Sequence, residues 1–277
     1  MIMKKDRNEE IKAFVRLLDI MDELREKCPW DREQTAESLR PLTIEETYEL
    51  SDAIINSDDY NISKELGDIL LHIVFYAKIA SEKGSFDISD VINRCCDKLI
   101  FRHPHVFGET QVSGAGEVIK NWEQLKRKEK DGNKTILSGV PSSLPSIVKA
   151  YRMQDKVRAV GFDWEKREEV WDKVREEIAE FEEELKNNTA GDFEKEAENN
   201  ADCKLEGEFG DLLFSLINAA RLYNINPDTA LEMTNRKFLK RFGYIESETA
   251  KSGLSIKSLS LEDMDRLWNE AKNLENR

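Results

Sequence analysis

The stretch KELGDILLHIVFYAKIA (64–80) has a near copy in GEFGDLLFSLINAAR (207–221). Leu66, Ile69, Leu70, Ile73, Val74 and Ala77 recur at steps of three and four, and Phe209, Leu212, Leu213, Leu216, Ile217 and Ala220 repeat the pattern. That is the period of an amphipathic helix, and neither run alternates with period two as a half-buried strand would. Each run opens on an acidic pair with E-x-x-D spacing, Glu65/Asp68 and Glu208/Asp211.

Outward from these stretches, three further blocks recur in the same order. EETYEL (45–50), DKLIFRHPHVFGE (97–109) and NWEQLK (121–126) answer to EEIAEF (176–181), RKFLKRFGYIE (236–246) and LWNEAK (267–272). CPWD (28–31) and GFDW (161–164) stand ahead of the first block in each half. Ordered recurrence of this kind implies duplication. Between the halves, DGNKTILSGVPSSLPS (131–146) breaks the helical pattern with two glycines and two prolines and reads as a linker. The expected architecture is all-α, with tandem bundles of about four to five helices at residues 1–130 and 147–277. A second polar stretch, NNTAGDFEKEAENNADC (187–203), lacks large apolar residues apart from Phe193 and reads as a loop inside the second half.

Composition narrows the function. The chain of 277 residues carries a formal charge of −14, which speaks against a general nucleic-acid surface. It does not speak against a nucleotide, because carboxylates can share a divalent cation with phosphates. The four cysteines show no CxxC spacing and only three histidines are present, so structural zinc is not expected. The thiols read as reduced, and the charged start MIMKKDRNEE does not resemble a secretion signal. No apolar run reaches the roughly 18 residues of a membrane span. A cytoplasmic protein is expected.

Each half also carries E-x-x-E ahead of its E-x-x-D: Glu46 and Glu49, then Glu65 and Asp68, and again Glu177 and Glu180, then Glu208 and Asp211. Residues three apart share a helix face, so two such helices side by side gather four carboxylates. A single E-x-x-E is ordinarily a solvated acidic face. E-x-x-D at the border of an apolar helix, twice in one chain, points instead to a hard cation, with Mg²⁺ preferred and Mn²⁺ able to substitute.

This ordered set, with CPWD, LRPLTIEETYEL, RHPHVFGE, GFDW and KVREEIAE, resembles the MazG-type all-α nucleoside triphosphate pyrophosphohydrolases over nearly the whole chain. The resemblance implies Mg²⁺-dependent hydrolysis of a nucleoside triphosphate to monophosphate and pyrophosphate, in a homodimer. An alternative from another class is a non-catalytic nucleotide-binding regulator or scaffold that keeps the acidic motifs.

The halves are not equal. On alignment of the acidic motifs, Lys173, Lys204 and Asn218 correspond to Leu42, Asn61 and Phe75. Asn235, Lys237 and Arg241 form N-x-K-x-x-x-R, whereas the first half keeps Lys98 and Arg102 but has Cys96 at the Asn position. Trp122 and Trp268 recur, followed four later by Lys126 and Lys272. Catalysis is therefore assigned to the second half. Glu177, Glu180, Glu208 and Asp211 act as metal ligands and catalytic groups. Lys173, Glu176, Lys204, Glu206, Asn218, Asn235, Lys237, Arg241 and Trp268 face the substrate. Glu46, Glu49, Glu65 and Asp68 are left as a vestigial second site. His103 and His105 read as a turn around Pro104, and His72 lies on the first half's acidic stripe.

Overall fold

The computed structural model describes residues 6–114, 116–118, 121, 125, 135–188 and 200–275, and among these every regular element is helical. The all-α expectation holds. The chain divides into two compact units, residues 1–117 and 118–277. Of the expected linker, 131–134 lie outside the described residues; 135–145 form turns and fall in the second unit. Trp122, Lys126 and most of the 187–203 stretch (189–199) also lie outside the described residues.

The first unit contains α1 (Asn8–Lys27), the short α2 (Pro29–Glu33), α3 (Ala36–Ile55), α4 (Asp59–Glu82), α5 (Ile88–Arg102) and the single turn α6 (Pro104–Phe107). Their starts are written in the sequence. Thr35 and Ser38 form a reciprocal capping box on α3, Asp87 and Asp90 form one on α5, and Asp58 caps α4 through the Asn61 amide. Only 56–58 separate α3 from α4, and Ser57 turns the chain at φ 54°, so the two helices fold back as a hairpin. The core is Met21, Leu39, Val74, Phe75 and Ile79, with Leu42, Leu71 and Tyr76 packed around it. His103 ends α5 with its Nδ1 2.6 Å from the Leu99 carbonyl oxygen, and Pro104 starts α6.

The second unit contains α7 (Ser146–Arg158), α8 (Val170–Asn188), α9 (Asn200–Leu222), α10 (Pro227–Lys251) and α11 (Leu261–Glu275). Helices α8 and α9 lie side by side, α7 packs on α9 and α10, and α10 pairs with α11. Val170, Val174 and Ala219 form its core with Leu212 and Leu222 against them.

The apolar stripes of α4 and α9 are wider than their units cover. Val74 and Ala77 are buried, yet Leu66, Leu70 and Ile73 remain 39–52% exposed. The matching positions of α9, Phe209, Leu213 and Leu216, remain 40–47% exposed.

Candidate metal and nucleotide site

Glu177 and Glu180 stand one turn apart on α8, and Glu208 faces them from α9. Carboxylate oxygens of the three lie within 4.8 Å of one another. In the first unit, Glu46 and Glu49 on α3 meet Glu65 on α4 with the same closeness. The two aspartates stand beside these triads rather than in them. Asp211 lines a neighbouring cavity, and Asp68 lies 3.8 Å from Lys64.

Both clusters carry more negative charge than their own cations offset. Desolvation, then repulsion from Glu177, pushes the Glu180 carboxyl above the ordinary glutamate value, with Lys173 opposing the rise. Desolvation, then Asp68, Glu49 and Glu65, does the same to Glu46. In the first cluster, buried Glu65 leaves its Oε2 without a hydrogen-bond partner. Donor sets made only of carboxylate oxygen, strained by mutual repulsion, fit a hard divalent cation.

A cavity of about 570 Å³ adjoins the second cluster and shares Glu177 and Lys173 with it. Its far wall is apolar, built from Met153 and Val157 of α7, Phe214 of α9 and the aromatic rings of Phe162 and Trp164. Gly161, at φ 89°, makes the turn that presents these two aromatics. Arg221 is buried and grips Asp163 through two nitrogens, while its Nε and Nη2 donate to Asn218 Oδ1 at 3.1 and 2.8 Å. The Asn218 amide is thereby oriented on the cavity wall. Gln154 donates from Nε2 to the Phe214 carbonyl at 2.8 Å, and its buried Oε1 has no partner.

Among the residues expected at the site, Lys173, Glu177, Asp211 and Asn218 come together around this cavity. Lys173 Nζ lies 2.8 Å from Glu177 and 3.0 Å from Glu176, and these hydrogen bonds raise its ammonium well above the usual lysine value. Lys204 instead pairs with buried Glu184 at 2.5 Å, and Glu206 is exposed. The others gather on α10 and α11, outside the cavity lining. Arg241 pairs with Glu275 at 2.7 Å and sits 5.4 Å over the Trp268 ring. Asn235 and Lys237 are exposed on α10.

Sequence reasoning missed Gln154, Phe162, Asp163, Trp164 and Arg221. GFDW stands in place of CPWD ahead of the acidic block, but as a motif it marks the repeat and the family resemblance without pointing to a cavity wall. One residue before each E-x-x-D the halves also differ, with Lys64 in the first and Gly207 in the second.

In the first unit the corresponding space is filled. Leu42 packs on the core and Phe75 is 2% exposed. The Arg25 guanidinium lies 5.6 Å over the Phe75 ring and pairs with Glu82 at 2.5 Å.

Helical units with duplicated oxygen-donor clusters, one of them beside a nucleoside-sized cavity, fit the class of helical nucleotide hydrolases. Residues 34–107 match the MazG nucleotide pyrophosphohydrolase domain. The chain is 43% identical over 262 residues to the nucleoside triphosphate pyrophosphohydrolase/pyrophosphatase MazG of Thermotoga maritima, covering 94% of this chain and 95% of that one. It is 40% identical over 265 residues to the nucleoside triphosphate pyrophosphohydrolase of Escherichia coli strain K12, covering 94% and 97%. It is also 44% identical over 251 residues to the uncharacterized protein YabN of Bacillus subtilis, covering 90% of this chain and 49% of YabN. The chain belongs to the MazG family.

Proposed function

We infer that this protein hydrolyses nucleoside triphosphates to the monophosphate and pyrophosphate, with Mg²⁺, in its second unit. The observation that carries the reading is the carboxylate triad of Glu177, Glu180 and Glu208 opening, through Glu177, onto the 570 Å³ cavity. Glu177, Glu180 and Glu208, joined by Asp211, would hold the ion. Bound Mg²⁺ neutralises phosphate oxygens and makes a bound water more acidic.

The chain's own groups do the positioning. Lys173 reaches both the carboxylates and the cavity, so its ammonium is available to a phosphate oxygen whose charge rises during displacement. Asn218, held by Arg221, offers an oriented amide. Trp164 and Phe214 supply flat apolar surface for a base, and Gln154 Oε1 is a buried acceptor in want of a donor. Lys204, Glu206, Asn235, Lys237, Arg241 and Trp268 stand outside the cavity lining and Glu176 pairs with Lys173, so they would meet the substrate only where its phosphates extend beyond the cavity. The exposed stripes of α4 and α9 support a homodimer, and we take the protein to be cytoplasmic.

A product assay across the natural triphosphates, with and without Mg²⁺, tests this. Pyrophosphate release supports it; orthophosphate release identifies a phosphatase, and tight binding without turnover identifies a regulator. A second reading gives the chemistry to the first unit. It is favoured by the domain match at 34–107, which includes Glu46, Glu49, Glu65 and Asp68.

A further inference from the structure

Each carboxylate cluster has one lysine against it, but the two lysines stand in different places. Lys64 Nζ lies 2.9 Å from Glu65, 3.8 Å from Asp68 and 4.0 Å from Glu49, so one ammonium serves three of the first unit's four motif carboxylates across α3 and α4. The corresponding residue of the second unit is Gly207, which has no side chain. Lys173 is not an equivalent. It stands on α8, one turn before Glu177, and pairs with Glu176 and Glu177. Among the described residues, Glu180, Glu208 and Asp211 form no ion pair.

A second observation fits a cation at the first cluster. Glu65 is 4% exposed, and only Oε1 is used by Lys64; Oε2 has no partner. An ammonium donates along three directions to ligands near about 2.9 Å, whereas Mg²⁺ draws oxygens to about 2.1 Å from several sides at once. One ammonium leaves part of the donor set unsatisfied, yet its charge opposes a second cation in the same place.

We propose that Lys64 is the resident cation of the first unit's carboxylate cluster, and that its ammonium, rather than any loss of ligands, keeps a divalent ion out of that unit. The proposal rests on the reading of the second cluster as a divalent-ion site. It makes the inequality of the units a matter of one side chain at the metal, in addition to the filled space behind it.

The test uses the full chain, without nucleotide, and Mn²⁺ alone as probe, with bound and free ion separated by electron paramagnetic resonance. The wild type should bind Mn²⁺ only in a class that Glu180→Gln removes. Lys64→Met, which keeps the apolar stem, and Lys64→Ala should each add a class of sites binding about tenfold or more tighter than any residual first-unit binding. Adding Glu46→Gln to Lys64→Met should remove the new class, and Lys64→Arg should behave as wild type. Circular dichroism confirms that each variant is helical. An unchanged isotherm in both folded Lys64 variants overturns the proposal. So does a wild type that loses a bound ion on Glu46→Gln alone. If Glu180→Gln removes nothing, the proposed function fails, while the Lys64→Met pair still decides the role of Lys64.

Discussion

Leu42 and Phe75 close the interior of the first unit at the places where Lys173 and Asn218 line an open cavity in the second. The carboxylates are the same in kind and spacing in both units, and each set gathers to within 4.8 Å. The difference lies behind them. Two apolar residues stand as core where the second unit has cavity wall, and the exposed Lys64 sets its ammonium beside Glu65 where the second unit has Gly207. A duplicated helical hairpin can thus keep its acidic motif in two different surroundings. The motif is local to two helices, whereas the cavity needs α7, its following loop, α8 and α9 together.

The largest expected effect is on the metal. Excess chelator should abolish pyrophosphate release, and Mg²⁺ or Mn²⁺ should restore it; full turnover in chelator would remove the basis for comparing the clusters at all. Next come exchanges between the units. Lys173→Leu should lower turnover by about 10²–10³ while leaving the protein folded, since it removes one positive group from a partly exposed place. The reverse change in the other unit should act on stability. Phe75→Asn buries an amide where a ring filled the core and should destabilise by about 3–5 kcal/mol in denaturant titration. If Phe75→Asn left stability unchanged, the claim that the first unit's cavity is filled would be lost.

A smaller effect is expected on the apolar wall. Trp164→Ala should raise KM for the triphosphate by about tenfold with pyrophosphate still the product, because stacking surface is removed and the carboxylates are not. An unchanged KM for every base would detach the cavity from the substrate. The smallest concerns pH. Glu180 titrates above the ordinary glutamate value, so its protonated form is favoured in the fold. Its contribution to stability is present at low pH and is lost as pH rises through the raised value. A cation offsets that loss only once the carboxylate is ionised. The Mg²⁺-induced rise in Tm should therefore be larger near neutral pH than at about pH 5. Equal rises would argue that the ion binds elsewhere.

How much of this was legible in the sequence follows the same divide. Helix period, capping boxes and the spacing of four acidic pairs are short-range; the all-α architecture follows from them, while of the four carboxylates expected together in each unit three gather and Asp68 and Asp211 stand aside. Leu42 and Phe75 were visible as departures because they align with Lys173 and Asn218. The cavity wall was not visible, because Gln154, Trp164 and Arg221 are brought together across α7, the GFDW turn and α9 by packing alone. Arg221 sits ten residues after Asp211, and nothing in the stretch announces that it grips Asp163. Nor does the sequence say that half of each apolar stripe stays exposed. Leu66 and Phe209 have the same period as their buried neighbours, and burial depends on how many helices arrive to cover them.

Paired substitutions in the two units measure whether matched carboxylates do unequal work. Pyrophosphate release should be compared for Glu180→Ala and Glu49→Ala, each shown to be helical by circular dichroism and each at saturating triphosphate and Mg²⁺. The account predicts that Glu180→Ala abolishes release and that Glu49→Ala keeps most of it. Loss of release in Glu49→Ala with activity retained in Glu180→Ala would place the chemistry in the first unit and contradict the account.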